Sequence, residues 1–176
     1  EVRAAARANG AVFVGPNTPG LISPGKAKMG FMPSFCYTQG NVGVISRSGS
    51  LSYEGSKRIT VAGIGQSTVI GIGGDPVKGL NAAEAVELLH ADPETKAILY
   101  LGEIGGSDEY AVARYAERAD AKPTGALIVG AAAPPGKKMG HAAALVGSQA
   151  DGQAAKVEAL RKAGVDVAAN LRNLRM

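Results

Sequence analysis

Two runs in this chain, Thr68-Val69-Ile70-Gly71-Ile72 and Ala97-Ile98-Leu99-Tyr100-Leu101, are almost continuously apolar instead of alternating apolar and polar. A strand with one wet face alternates, whereas a strand that is apolar on both sides must be covered on both, as in a parallel sheet with helices packed on each face. The rest of the chain keeps that rhythm. Apolar runs predict strands at 11–14, 42–46, 67–72, 97–101, 124–129 and 165–168. Alanine, leucine and charged residues at helical spacing predict helices over 1–9, 51–62, 81–91, 107–119, 152–163 and 170–175. The order β, α, β, α sets the class as α/β, an open parallel sheet with helices on both faces. Residues 15–40 break the rhythm: rich in Gly and Pro with isolated apolar residues, they read as a long structured connection with room for a short hairpin.

With 176 residues and 45% apolar content the chain can build one domain with a substantial core. It has no apolar run of the roughly 18 residues that a bilayer crossing requires, which predicts a soluble protein with no membrane partner. A single cysteine, Cys36, excludes an internal disulfide and a cysteine-built metal cage, and fits a reducing cytoplasm. No metal site is expected in this chain. The net charge of +4 and pI near 9.3 suit anionic ligands, yet the basic residues are scattered and only eight residues are Phe or Tyr. Nucleic acid is therefore not an expected partner, since its binders concentrate a basic stripe, often with stacking aromatics; small phosphorylated ligands fit better. The start, Glu1-Val2-Arg3-Ala4, opens inside a helical pattern without a methionine. This leads to the expectation of a preceding domain, with N-terminal processing as the alternative.

In an open parallel sheet the loops leaving the carboxyl ends of the strands gather on one edge, where ligands bind. The unusual loops here all follow predicted strands: Ser46-Arg47-Ser48-Gly49-Ser50, Gly73-Gly74-Asp75-Pro76, Gly102-Glu103-Ile104-Gly105-Gly106, and Pro134-Pro135-Gly136 through His141. Ser48, Gly49 and Ser50 precede a helix, so hydroxyls and free N–H groups would offer an anion a seat at the helix start; a serine that only caps the helix explains the same residues. His141 lies on the glycine-flanked, cationic stretch Gly136-Lys137-Lys138-Met139-Gly140-His141-Ala142. A neutral imidazole there suits reversible covalent transfer near pH 7, while a solvated surface histidine is the plainer account. Glu103 could hold one ring nitrogen and stabilise the charged ring, or stand as an ordinary loop glutamate. His90, at the end of a predicted helix, reads as a charge complementing the helix dipole. There is no G-x-S-x-G elbow and no G-x-x-x-x-G-K-[ST] loop, and Gly71-Ile72-Gly73-Gly74-Asp75-Pro76 ends in proline where a dinucleotide loop wants glycine.

Taken together and in order, Gly15-Pro16-Asn17-Thr18-Pro19-Gly20, Ser46-Arg47-Ser48-Gly49-Ser50-Leu51-Ser52-Tyr53-Glu54, Gly71 to Pro76, Gly102 to Gly106 and Gly136 to Ala142 resemble the second, ligase domain of the alpha subunit of succinyl-CoA synthetase and related NDP-forming acyl-CoA ligases. The resemblance covers nearly the whole chain. It implies a flavodoxin-like domain spanning residues 1–176, preceded in the full protein by a CoA-binding Rossmann-like domain. It also implies that His141 is phosphorylated by NTP, ATP or GTP, or from an acyl phosphate, on the way to or from a CoA thioester of a small dicarboxylate, a tricarboxylic-acid-cycle type of reaction. Glu103 would orient and stabilise the phosphohistidine, Ser48, Gly49 and Ser50 would hold phosphate, and Asn17, Pro19 and Tyr53 would face CoA and the carboxylate. The nucleotide and Mg²⁺ would sit mainly on a partner beta subunit of ATP-grasp fold, in a heterodimer or heterotetramer, so this piece alone would not turn over. Departures at Thr18, Tyr37, Leu80, Ala143 and Val146 to Ala150 leave the carboxylate open, with succinate, malate and citrate as candidates. The alternatives are a non-catalytic CoA- or phosphate-binding regulatory module, against which both His141 and Glu103 speak, and a flavin binder, for which no loop offers a sandwiching aromatic pair.

Overall fold

The computed structural model describes residues 1–133 and 144–174. In chain order its strands are β1 (Gly20–Ser23), β2 (Ala27–Gly30), β3 (Gln39–Ser46), β4 (Gln66–Gly71), β5 (Ala97–Glu103), β6 (Thr124–Val129) and β7 (Asp166–Ala168). The helices are α1 (Val2–Ala8), α2 (Gly49–Val61), α3 (Ala82–Ala91), α4 (Asp108–Ala116) and α5 (Gln153–Lys162). All seven strands share one sheet, ordered β2-β1-β4-β3-β5-β6-β7. From β4 to β7 every pairing is parallel. Counted along the chain, these five strands lie in the order second, first, third, fourth, fifth, which is the flavodoxin-like winding.

That order follows from where the helices go. The chain leaves β3 for β4 through α2 on one face, then returns past β3 to β5 through α3 on the other. Neighbouring residues of the central strands serve opposite faces, as a side-chain period of two requires. Leu99 and Leu101 join Val44, Val69, Leu51 and Ile59 beneath α2, while Ile98 and Tyr100 join Ile45, Ile70, Val86, Val112 and Leu160 beneath α3, α4 and α5. The two continuously apolar runs are thus covered on both faces except at their half-buried first residues, Thr68 and Ala97, and each buried aliphatic side chain contributes about 1.5–3 kcal/mol. The helix starts are set by side chains: Ser48 Oγ accepts from Leu51 N–H at 3.4 Å. Asn81 and Glu84 cap α3 reciprocally at 2.9 and 3.0 Å.

Three expectations change. Residues 11–14 form no strand: the place beside β4 is taken by β1, and Val14 packs on the core instead. The connection at 15–40 does contain a hairpin, β1 and β2, and it joins the sheet with β1 antiparallel to β4, so not all strands point one way. Gly20 faces Gly30 across that hairpin, and a Cβ on Gly20 would lie 2.0 Å from Met29 O, so only glycine lets the strands close here. The expected helix over 170–175 is a single 3-10 turn, Leu171–Asn173, because the Asn170 side chain accepts from the N–H groups of Arg172 and Asn173 and closes the turn locally. No helix among the described residues is long and apolar enough to cross a membrane.

Candidate functional site

The winding reverses between β3 and β5, so the crevice beyond their carboxyl ends is the place where such a sheet binds ligands. Ser46 pairs with Leu101 there, and Arg47 N–H donates to Leu101 O at 3.0 Å. The Ser48 turn and Glu103 therefore leave from neighbouring strand ends. Ser46 Oγ donates to Ser48 O at 2.7 Å and accepts from Ser48 N–H at 3.2 Å, which fixes the turn that starts α2. The first N–H groups of the helix lack intrahelical partners and carry the positive end of its dipole. Ser48 and Gly49 are half-buried and Ser50 is exposed.

The turn carrying Asn17 and Pro19 reaches the same edge. Thr18 Oγ1 donates to Gly71 O at the end of β4, and Asn17 Nδ2 donates to Asp75 Oδ1 at 3.3 Å. Pro19 lies between β4 and α2: a Cβ built on Gly71 would be 2.7 Å from its ring, and one built on Gly49 would be 3.7 Å away. Tyr53, one turn further along α2, is directed to the hairpin, where its hydroxyl donates to Phe31 O at 2.8 Å. Tyr37, singled out as a departure, is a core residue whose hydroxyl contacts Met32 Sδ at 3.6 Å, and burial pushes its phenol pKa up. Leu80 is likewise in the core. His90 bonds the Tyr115 hydroxyl through Nδ1 at 3.1 Å and faces Asp120 at 3.4 Å, away from the crevice residues. His141 lies outside the described residues, as do Ala143 and the stretch from Pro134.

A cleft of about 630 Å³ opens on this edge, lined among others by Arg47, Asp75, Lys78, Asp108, Leu145 and Asp151. Below it lies a network of charged side chains that the motif reading did not single out. Arg47, only 1% exposed in its side chain, donates through Nη1 to Glu109 Oε1 at 3.0 Å, Glu103 O at 3.1 Å and Gly105 O at 2.6 Å. Its Nη2 faces Glu103 Oε1 at 3.5 Å. Lys156, wholly buried on α5, donates to Glu109 Oε2 at 2.6 Å, Glu103 O at 2.9 Å and Gly105 O at 2.5 Å. Tyr100 OH and Glu103 N–H donate to Glu109 Oε1 at 3.1 and 3.3 Å. To one side, Lys78 pairs with Asp108 at 2.5 Å.

Burial pulls the Arg47 guanidinium down, but the charges of Glu109 and Glu103 and the Tyr100 phenol more than offset it, so it stays charged. Burial pushes the Lys156 ammonium below its ordinary value, and Glu109 offsets this only in part. Burial, then the Glu109 charge, hold the Tyr100 phenol well above its ordinary value. The signal for two of these residues was present in the helical spacing. Lys156 stands one turn before the buried Leu160, and Glu109 stands three and four residues before the buried Val112 and Ala113, so both charges occupy apolar stripes.

The arrangement offers an anion seat at a helix start, a nearly buried carboxylate beside it, and cations to hold that carboxylate. Such a set can bind and transfer a phosphoryl group, and stabilise charge on a nucleophile that carries it. A family model for CoA-ligase matches residues 45–169. The chain is 51% identical over 160 residues to the succinate–CoA ligase [ADP-forming] alpha subunit of Aquifex aeolicus, covering 91% of this chain and 52% of that one. It is 43% identical over 157 residues to the malate–CoA ligase alpha subunit of Methylorubrum extorquens, covering 89% and 53%. The chain therefore spans about half the length of the curated relatives it matches. Among solved structures, an ATP citrate lyase from Methanothrix soehngenii in complex with citrate and coenzyme A superposes with a TM-score of 0.85 at 28% identity, over 96% of this chain and 29% of that one. A dinucleotide-forming acetyl-coenzyme A synthetase from Ca. Korarchaeum cryptofilum superposes with a TM-score of 0.69 at 25% identity, over 96% and 36%.

Proposed function

This chain belongs to the CoA-ligase family, and we propose that it is the phosphohistidine-bearing part of an NDP-forming acyl-CoA ligase of the succinate–CoA ligase type. The observation that carries the reading is the meeting of Glu103 and the Ser48-capped start of α2 at adjacent strand ends, where Arg47, which faces Glu103, lines a cleft.

In this reading an imidazole nitrogen of His141 attacks the γ-phosphorus of ATP or GTP, the bond to the bridging oxygen breaks, and NDP leaves with the electron pair. A carboxylate oxygen of the acid substrate then takes the phosphoryl group from His141. The thiolate of CoA attacks the resulting acyl phosphate at carbon and releases phosphate. Glu103 accepts the N–H of the ring nitrogen that is not phosphorylated and stabilises the ring as positive charge develops. Ser48, Gly49 and Ser50 hold the phosphoryl oxygens with hydroxyls and N–H groups at the helix start. Asn17, Pro19 and Tyr53 face CoA and the carboxylate. The ring Pro19 presses on Gly49 and Gly71 supports this for Pro19, while the bond of Tyr53 to Phe31 O would have to be shared or released.

Residues 1–176 form one domain in this proposal, with a CoA-binding Rossmann-like domain in the remaining length that the relatives have. The nucleotide and Mg²⁺ are held mainly by a beta subunit of ATP-grasp fold in the cytoplasm, and the isolated piece does not turn over. The test uses the full-length chain with its partner subunit and γ-labelled ATP. Acid-labile, base-stable label is expected on the wild type and absent from His141→Asn; label surviving that substitution refutes the assignment. The acid substrate is read from CoA-dependent ADP or GDP formation with succinate, malate and citrate in turn.

A further inference from the structure

The buried network beneath the cleft has no part in the steps above, and its cost is high. Two cations and the Glu109 carboxylate are taken fully out of water, and a buried ion pair is often matched or bettered in stability by apolar residues of the same size. Its contacts converge on one short segment. The carbonyl of Glu103 accepts from both Arg47 Nη1 and Lys156 Nζ, the carbonyl of Gly105 accepts from the same two atoms, and the N–H of Glu103 donates to Glu109 Oε1. Glu109 in turn is held by Arg47, Lys156 and Tyr100. Three elements, the end of β3 and the helices α4 and α5, thereby fix the backbone on both sides of the Glu103 side chain.

We propose that Lys156 and Glu109 are positioning residues for Glu103: the buried Lys156–Glu109–Arg47 clamp grips the carbonyls of Glu103 and Gly105 so that the Glu103 carboxylate keeps one direction throughout phosphoryl transfer. The inference rests on the reading of Glu103 and His141 given above. The clamp acts through Glu103 and touches no reacting atom. It transmits geometry, and misplacement of a catalytic group by about 1 Å costs about 100-fold in rate.

The experiment uses the full-length chain with its partner subunit. Lys156→Met keeps the length of the side chain and removes its charge, and the double variant Lys156→Met/Glu109→Gln removes the paired charge as well. Lys156→Met is expected to lose thermal stability, lower kcat about 10- to 100-fold with KM for nucleotide and CoA within about twofold, and shorten the lifetime of the acid-labile label, with a moved 31P resonance. The double variant leaves Arg47 facing Glu103 as its remaining nearly buried carboxylate, and it is expected to recover neither kcat nor the label lifetime, whatever its Tm. Activity returning in step with Tm would make the clamp a purely structural feature and overturn the proposal. Tyr100→Phe, which removes one hydroxyl from Glu109 at nearly constant volume, keeps the test open if both larger changes fail to fold; it is expected to shorten the label lifetime at near wild-type Tm, and an unchanged lifetime counts against the clamp. A wild type that takes no label overturns the reading of His141 and this inference with it. A labelled wild type matched by Lys156→Met overturns this inference alone.

Discussion

The sharpest stability consequence of the buried network falls on Gly102, the residue before the loop glutamate. A Cβ built there would lie 2.6 Å from Glu109 Oε1, 2.6 Å from Tyr100 Cε1 and 2.8 Å from Ile128 Cδ1. The backbone is an ordinary strand, so Gly102→Ala tests space and not conformation. Steric overlap with Tyr100 and Ile128 in a closed core costs about 1–3 kcal/mol. To reach the ordinary contact distance of 3.4 Å the Glu109 oxygen must also retreat, and it accepts from Arg47, Tyr100 and Glu103 N–H at 3.0, 3.1 and 3.3 Å. Losing one such bond to a charged group adds about 1.5–3 kcal/mol. A total of about 2.5–6 kcal/mol is expected, which for a chain of this size, at roughly 2–4 °C per kcal/mol, lowers Tm by about 5 °C at the least. The control is Gly63→Ala, at φ +75° with no atom within 4 Å of the new methyl, where the left-handed backbone alone costs about 1–2 kcal/mol. Urea and thermal unfolding of the two variants side by side give the answer. Equal losses, or a Gly102→Ala cost below 1 kcal/mol, would mean that the carboxylate below Gly102 is not held as tightly as its contacts imply.

Ser48→Ala separates capping from phosphate binding. The cap bond to Leu51 N–H is long at 3.4 Å, so a stability loss at the low end, about 0.5–1 kcal/mol, is expected. A phosphate role predicts in addition a drop of at least about tenfold in the labelling rate of His141, and a normal rate in a folded variant would leave Ser48 as a cap only. Asp92 gives a pH test. Burial raises its carboxyl, but hydrogen bonds from the Thr95 hydroxyl and Glu94 N–H outweigh that and leave its pKa below the ordinary 3.8. A depressed folded pKa contributes stability above the unfolded value and loses it as the pH falls through the folded one. Asp92→Asn should therefore lower Tm at pH 7, and the gap to wild type should close below about pH 3.8; a gap independent of pH would contradict the assignment.

Much of the architecture could be read from the chain because apolar pattern and covering geometry are two sides of one constraint. Ala97 to Leu101 can be apolar throughout only if Leu99 and Leu101 meet α2 while Ile98 and Tyr100 meet α3, α4 and α5, and that is what they do. The loops leaving β3, β4 and β5 were legible for the same reason, since parallel strands send their carboxyl ends to one edge. Residues 11–14 were misread because an apolar run carries no record of which segment takes the place beside β4.

The sequence by itself determined the layering of helices on a parallel sheet, the edge at which Ser48 and Glu103 emerge, and, through its motifs, the family. Local pattern suffices for these because each depends on neighbours a few residues apart. Only the tertiary structure decided that β1 and β2 extend the sheet, that Pro19 meets the start of α2, and that Arg47, Glu109 and Lys156 close around the Glu103 loop. Lys156 and Gly105 are 51 positions apart, and no periodicity encodes a contact at that distance. A charge in an apolar stripe tells that a buried partner exists, and the winding of the sheet decides which one it is.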